Sequence, residues 1–412
     1  MKFCSELTKE EYINFCNKSK NSHFLQSYEW GICSHKSRGQ QPIYVGVKND
    51  DNKVIGAALL LKKSTPFKMC YYYSPRGFVI DYSSSEILKT MTDGLKVLMK
   101  RNKCIYLRVD PGVMYQEIDE DAKKIDHGRN NYKLFNEFIE LGYKHQGFPK
   151  LYEGNQPRYT FRIDLNRSVE EIESKFSKTF MKTVRRSYNY DLKIVESDDI
   201  KTFWDLNTKI ANKNAFTLYP LDHYKHVYNE FKEQNHIKIF NALVFPDELL
   251  EKSENELAVL KLRVDNGEVG KKEKDDVNNV ITRLEKDIDK FNPLRGMHKD
   301  GLVVCSLICT YTTHGAWTLY IGNDDLGTYT FAVNRCYYES IIEAQKNNYD
   351  FMDLFGTVGD PNTNFKNLAG LHDFKRKFGG EYIEFIGEFD LVNKPIWYGI
   401  LPKLLWIYRK LK

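Results

Sequence analysis

PIYVGVKNDDNKVIGAALLL, residues 42–61, is two apolar runs separated by a cluster of turn formers. Pro42–Val47 and Val54–Leu61 read as strands, and Asn49-Asp50-Asp51-Asn52 reads as the turn between them. A third strand, Met69–Tyr73, follows. Ile87, Leu88, Met91, Leu95 and Leu98 then recur at helical spacing, predicting a helix from Ser85, which can cap it, to about Lys100. A strand at Cys104–Val109, ended by Asp110-Pro111, completes the unit.

The same order returns later in the chain. Ile237–Val244, Leu302–Thr310 and Ala316–Ile321 read as three strands, Tyr329–Asn347 as a helix, and Tyr349–Phe355 as the closing strand. Strand-strand-strand-helix-strand twice predicts a duplicated α/β (α+β) chain. Each copy resembles the N-acetyltransferase fold, whose mixed sheet splays open to admit an acyl donor. That analogy concerns fold and leaves the substrate open.

The copies differ between their first two strands. The second copy carries an insert, Phe245–Asn292, in which Leu250, Ser253, Leu257, Leu260 and Val264 fall at heptad positions. Val277, Ile281, Leu284, Ile288 and Phe291 resume the pattern after Asn266-Gly267 and Gly270. An antiparallel coiled-coil arm is expected, either engaging a partner or serving as a solubilising insertion. Acidic residues outnumber basic ones in it, so an RNA contact there needs a local patch such as Lys271, Lys272 and Lys274. The expected division is a first lobe at 1–153, a second at 154–244 and 293–392, the arm at 245–292 and a tail at 393–412.

Bulk properties agree with a globular two-lobe chain. It has 412 residues, 42% of them hydrophobic and 28% charged, with a formal net charge of +5. That charge permits an RNA or membrane contact without demanding one. The polar start carries no apolar signal segment, and the longest apolar run, Val54–Leu61, is too short to span a bilayer. A cytoplasmic protein is expected. The eight cysteines form no C-x-x-C pair and are read as buried free thiols. The histidines form no metal-binding pattern, and His223-Tyr224-Lys225-His226 is read as surface; no metal is expected.

Several motifs stand apart from the scaffold. They are Gln26-Ser27-x-x-Trp30, Tyr71-Tyr72-Tyr73-Ser74-Pro75-Arg76-Gly77, Leu107-Arg108-x-Asp110-Pro111, Asn155-Gln156-Pro157-Arg158, Tyr320-x-Gly322, Asp353-Leu354-x-Gly356 and residues 370–380, GLHDFKRKFGG. In this order and spacing they resemble the FemABX family of peptidoglycan bridge-forming aminoacyltransferases, from about residue 3 to residue 392. The resemblance implies two tandem N-acetyltransferase-like lobes, aminoacyl-tRNA as donor and a peptide–sugar precursor as acceptor. Members with a helical arm resemble the branch acting on lipid II, so the arm favours lipid II over a soluble nucleotide-linked precursor.

Aminoacyl esters are already activated, so neither ATP nor another cofactor is expected, and no G-x-x-x-x-G-K-[ST] loop occurs. Attack of an amine on the ester needs positioning, a route for the amine proton and positive charge near the oxyanion. The family's Phe-Lys pair falls on Phe374 and Lys375, which makes Lys375 the candidate catalytic cation. The resemblance also implies substrate contacts from Asp110, Thr217 and Tyr320. Two departures stand out. Tyr219 occupies the place of a phosphate-contacting arginine, and Ser34 that of a lysine, leaving Lys36 or Arg76 to meet the diphosphate.

Two rivals share these features. A CoA-dependent N-acyltransferase wants a [QR]-x-x-G-x-[GA] loop, which Arg376-Lys377-Phe378-Gly379-Gly380-Glu381 fails at its last position. A non-catalytic RNA- or membrane-binding adaptor would have no use for Phe374-Lys375. The tail interleaves Trp397, Tyr398, Leu401, Leu404, Leu405, Trp406 and Tyr408 with Lys403, Arg409, Lys410 and Lys412. Such a stretch either lies at the inner face of an anionic membrane or packs back on the first lobe.

Overall fold

The computed structural model describes residues 1–65, 68–214 and 217–401. Two mixed sheets organise it. The first runs Lys2–Cys4, Gln41–Lys48, Val54–Thr65, Met69–Arg76, Cys104–Pro111, Phe389–Val392, Tyr143–His145. The second runs Lys193–Ser197, Ile237–Val244, Leu302–Tyr311, Gly315–Asn323, Phe351–Thr357, Tyr159–Asp164, Glu381–Phe385, Met114–Glu117. Each contains the repeat seen in the sequence: two antiparallel steps, then a parallel step bridged by a helix. A parallel step requires such a crossover. Ser85–Arg101 supplies it in the first lobe and Ala332–Lys346 in the second.

Helix starts differ from the sequence reading by local chemistry. Ser84, not Ser85, caps the first crossover helix, accepting a hydrogen bond from Ile87 N at 3.5 Å. The second begins at Ala332 rather than Tyr329. A separate short helix, Asp325–Tyr329, precedes it, and Phe331 between them is left-handed at φ 61°.

The two lobes also exchange strands, which the expected boundaries at 153 and 392 do not allow. Met114–Glu117 leaves the first lobe and edges the second sheet against Glu381–Phe385. Phe389–Val392 returns to the first sheet between Cys104–Pro111 and Tyr143–His145. Arg108 fastens the returning strand through two 2.7 Å bonds to the buried carboxylate of Asp390. Cross-strand pairing is read from partners distant in sequence, so local patterns carry no trace of it.

The insert forms helices Pro246–Asp265 and Lys274–Phe291, with Pro246 in the first turn where its missing N–H costs nothing. Lys261 bridges to Glu285 at 2.8 Å and Arg283 to Glu256 at 3.9 Å, which ties the helices antiparallel. Along the distal seam Leu257, Leu260, Val264, Val277 and Ile281 are half-buried. At the root Leu249, Leu250 and Phe291 enter the second lobe's core. All eight cysteines are free, and seven are buried. His223 and Tyr224 are buried rather than exposed, because they lie on the inner side of the helix Leu221–Lys232. The tail is described only to Leu401; Lys403, Leu404, Leu405, Trp406, Tyr408, Arg409, Lys410 and Lys412 lie outside the described residues.

Candidate active site

The parallel steps of the two sheets differ where chemistry is expected. In the first lobe Met69–Arg76 stays paired with Cys104–Pro111 from Cys70↔Cys104 to Arg76↔Pro111. In the second, Gly315–Asn323 pairs with Phe351–Thr357 only from Gly315↔Phe351 to Trp317↔Asp353. Both strands continue beyond that point, so the second sheet splays while the first stays zipped. Separation of strands frees backbone carbonyls that must find other partners.

Lys375 supplies a shared partner for two of them, which Thr160 Oγ1 and Tyr152 OH also reach. It lies near the end of the helix Lys366–Arg376, and its Nζ donates to Phe355 O at 2.9 Å and to Gly356 O at 2.7 Å. The side chain is buried, with only 6% of its surface exposed. Burial lowers its pKa from 10.5 to about 7, partly opposed by the negative charge of Asp353. With two N–H groups committed to carbonyls, the charged amine has one proton left to donate and the neutral amine a lone pair. Phe374 points elsewhere: its ring packs on Tyr337 and Phe378, at 5.2 Å from each. Its role is to hold the helix against the second-lobe core.

Asp353 joins the splay to its surroundings. It accepts from Phe355 N at 2.8 Å and Thr160 Oγ1 at 2.5 Å, and it bridges to Arg162 at 3.1 Å. These bonds hold Phe355 at φ 59°, an unusual conformation for a bulky residue. Arg162 lies over the Phe351 ring at 4.3 Å, and the pair forms a wall between two clefts. One cleft, of ≈ 260 Å³, reaches Lys175, Phe378 and Gly380 just beyond the lysine helix. The other lies between the lobes, among His23, Arg76, Val113 and Trp317. Neither Arg162 nor Thr160 stood out in the sequence, since each is one polar residue on an apolar strand. Asp353 lay within a quoted motif, but its partners are distant in sequence.

The other expected site residues fall into two neighbourhoods. Arg76 and Asp110 meet at the ends of adjacent first-lobe strands. Arg76 N donates to Asp110 Oδ1 at 2.9 Å, and the guanidinium approaches Oδ2 at 3.8 Å. Arg76 is buried, donates to Pro157 O at 2.5 Å and lies 4.0 Å from the Phe385 ring centre. It is thereby committed to joining the lobes, which weakens its candidacy as a phosphate ligand. Burial raises the Asp110 carboxyl to about 7, an effect that Arg76 opposes.

Lys36, Tyr219 and Tyr320 gather at a second place, where the helices Tyr28–Arg38 and Leu221–Lys232 meet. Lys36 is ion-paired with Glu230. Arg38 lies 4.9 Å from the Tyr219 ring centre, and Tyr219 stacks beside His223 at 4.3 Å. Tyr320 sits edge-on to Tyr224 at 5.1 Å. Burial and the Arg38 charge hold His223 down at about 4, so it stays neutral near pH 7. Thr217 is exposed nearby in sequence, just before Tyr219. Lys375 belongs to neither group, but Phe355, whose carbonyl it holds, packs its ring 6.0 Å from first-lobe Phe24.

Known proteins match this architecture from end to end. A lipid II:glycine glycyltransferase of Staphylococcus haemolyticus is 27% identical, covering 98% of each chain. Aminoacyltransferase FemB of Staphylococcus epidermidis is 28% identical over 100% of both chains, and FemA of the same species 26% identical over 98% of this chain and 100% of its own. The crystal structure of FemX superposes with a TM-score of 0.77 at 24% identity, covering 97% of this chain and 100% of that one, which establishes a shared two-lobe fold. The sequence profile of the FemAB family matches residues 7–404, and on that match the chain belongs to the FemAB family.

Proposed function

We propose that the protein is an aminoacyltransferase that moves an amino acid from aminoacyl-tRNA to a side-chain amine on the stem peptide of lipid II. The observation that carries this reading is the match to FemA, FemB and a lipid II:glycine glycyltransferase over 98–100% of the chain. It fits a protein working at the inner face of the membrane. Among the described residues no helix is long and apolar enough to cross one.

In this reading the amine nitrogen bonds to the ester carbonyl carbon, and the tetrahedral intermediate then releases the ribose oxygen. The proton lost by the amine ends on the ribose hydroxyl. Lys375, anchored by Phe355 O and Gly356 O, presents its remaining N–H to the oxyanion when charged. Asp110 meets the acceptor amine, and Lys36, Tyr219, Thr217 and Tyr320 line the precursor's path. Phe374 supports Lys375 through packing. Arg76 serves as a lobe clamp rather than a diphosphate ligand.

The test combines purified protein, total tRNA charged with labelled amino acids, and lipid II. Label should move to lipid II, ribonuclease treatment of the donor should abolish transfer, and acetyl-CoA should not substitute. Transfer from acetyl-CoA with no dependence on RNA would overturn the assignment.

A further inference from the structure

One face of the first sheet is covered by the helices Ser85–Arg101 and Tyr132–Glu140. Near the start of Met69–Arg76 the opposite face is covered differently, by the segment after Val392, helical at 395–401. Leu401 is buried there against Met69 and Ile105. A row of rings continues the contact: Tyr71 stacks on Tyr106 at 5.2 Å, and Tyr106 meets Tyr398 edge-on at 5.3 Å. Exposed Lys63 and Lys144 lie 5.8 Å from the Tyr71 and Tyr398 ring centres, at the two ends of the row.

The outer side of the same helix is apolar and uncovered among the described residues. Ile396 is 77% exposed and Ile400 41%, and a spacing of four places them on one face. The chain then continues PKLLWIYRKLK, residues 402–412. From Lys394 to Lys412 there are five Lys or Arg and no acid, whereas the whole chain is nearly balanced at 61 to 56. Exposed isoleucines, tyrosines with cations at their faces and a one-sign charge bias are the chemistry of a headgroup boundary. A nucleic acid would be met by the positive charge but has no use for the isoleucines.

We propose that this face is a docking surface for an anionic lipid bilayer, with Ile396 and Ile400 entering the acyl boundary and Lys63, Lys144 and Lys394 meeting lipid phosphates. It rests on the transferase reading only for its purpose, which is to hold the enzyme at the membrane where its acceptor resides. Binding itself needs no acceptor.

The experiment is co-sedimentation of the full chain with phosphatidylcholine vesicles, with and without phosphatidylglycerol and free of lipid II. Binding should rise at least about tenfold with phosphatidylglycerol and fall as salt is added. The pair Ile396→Asp, Ile400→Asp should lower it by roughly tenfold or more. Neutralising Lys63, Lys144 and Lys394 to Gln should cost about a hundredfold, near fivefold for each lost charge. Transfer to a soluble, lipid-free precursor should be unchanged in the isoleucine variant. Equal sedimentation with both vesicle types, or wild-type binding by the isoleucine pair, would overturn the proposal. So would concentration-dependent dimers without vesicle binding, which would place a second copy on this face. If vesicles bind but no acceptor is aminoacylated, the transferase reading fails and the docking surface stands.

Discussion

Replacing Lys375 with methionine should change the pH dependence of stability in a defined way. The unfolded lysine takes up its proton below about 10.5, while the folded one waits until about 7. Between these values the unfolded chain binds more protons, so stability falls as pH falls through the window and is flat below it. A drop from 10.5 to about 7, at about 1.36 kcal/mol per pH unit, amounts to roughly 5 kcal/mol. The lysine is buried, so solvent screening does little to reduce this. Methionine keeps the aliphatic stem but removes the bonds to Phe355 O and Gly356 O, at a cost of about 1 kcal/mol each, since Thr160 Oγ1 still donates to the first and Tyr152 OH to the second. The variant should therefore be the less stable protein near pH 10 and should close or reverse that gap by pH 7. Denaturant titrations of both proteins across this range measure the difference, in which every other titrating group cancels. A difference that stays constant between pH 7 and 10 would show that Lys375 is charged throughout, and the account of its burial would be wrong.

Four further outcomes are expected. Lys375→Met should lower turnover by about 10²-fold with precursor affinity within a few-fold, because an oxyanion contact exists only in the transition state; near-normal turnover would remove the lysine from the mechanism. Wild-type turnover should decline above pH 7 as the Lys375 cation is lost, and a rate rising steadily to pH 9 would contradict the cationic role. Asp353→Asn should destabilise by about 2–4 kcal/mol in urea titrations through the loss of the Arg162 bridge, and a loss below about 1 kcal/mol would refute its place as hub of the splay. Phe291→Ala at the arm's root should cost about 3–5 kcal/mol, whereas excising the tip at 258–280 for a short turn should leave the melting of the lobes unchanged; equal effects would show the arm folds as one unit with the lobe.

Local patterning by itself determined the repeated unit, the crossover helices and the arm. Strand alternation, helical spacing and turn residues are short-range signals, and the strand Ile237–Val244 was legible to the residue. The motif containing Phe374-Lys375 was also legible, as was the buried state of most thiols. Which lobe opens was not, because both copies read as the same strands. The splay beyond Trp317↔Asp353 depends on Asp353, Thr160 and Lys375 converging from separate segments. The exchange of Met114–Glu117 and Phe389–Val392 was hidden for the same reason: a strand's pattern gives its two faces but not its neighbours. Tertiary structure alone decided that Arg76 clamps the lobes and that Lys36 stands beside Glu230. It also set the acidity of Lys375, since a lysine's pKa follows from how much water surrounds it, and that is fixed only when the chain has closed over the amine.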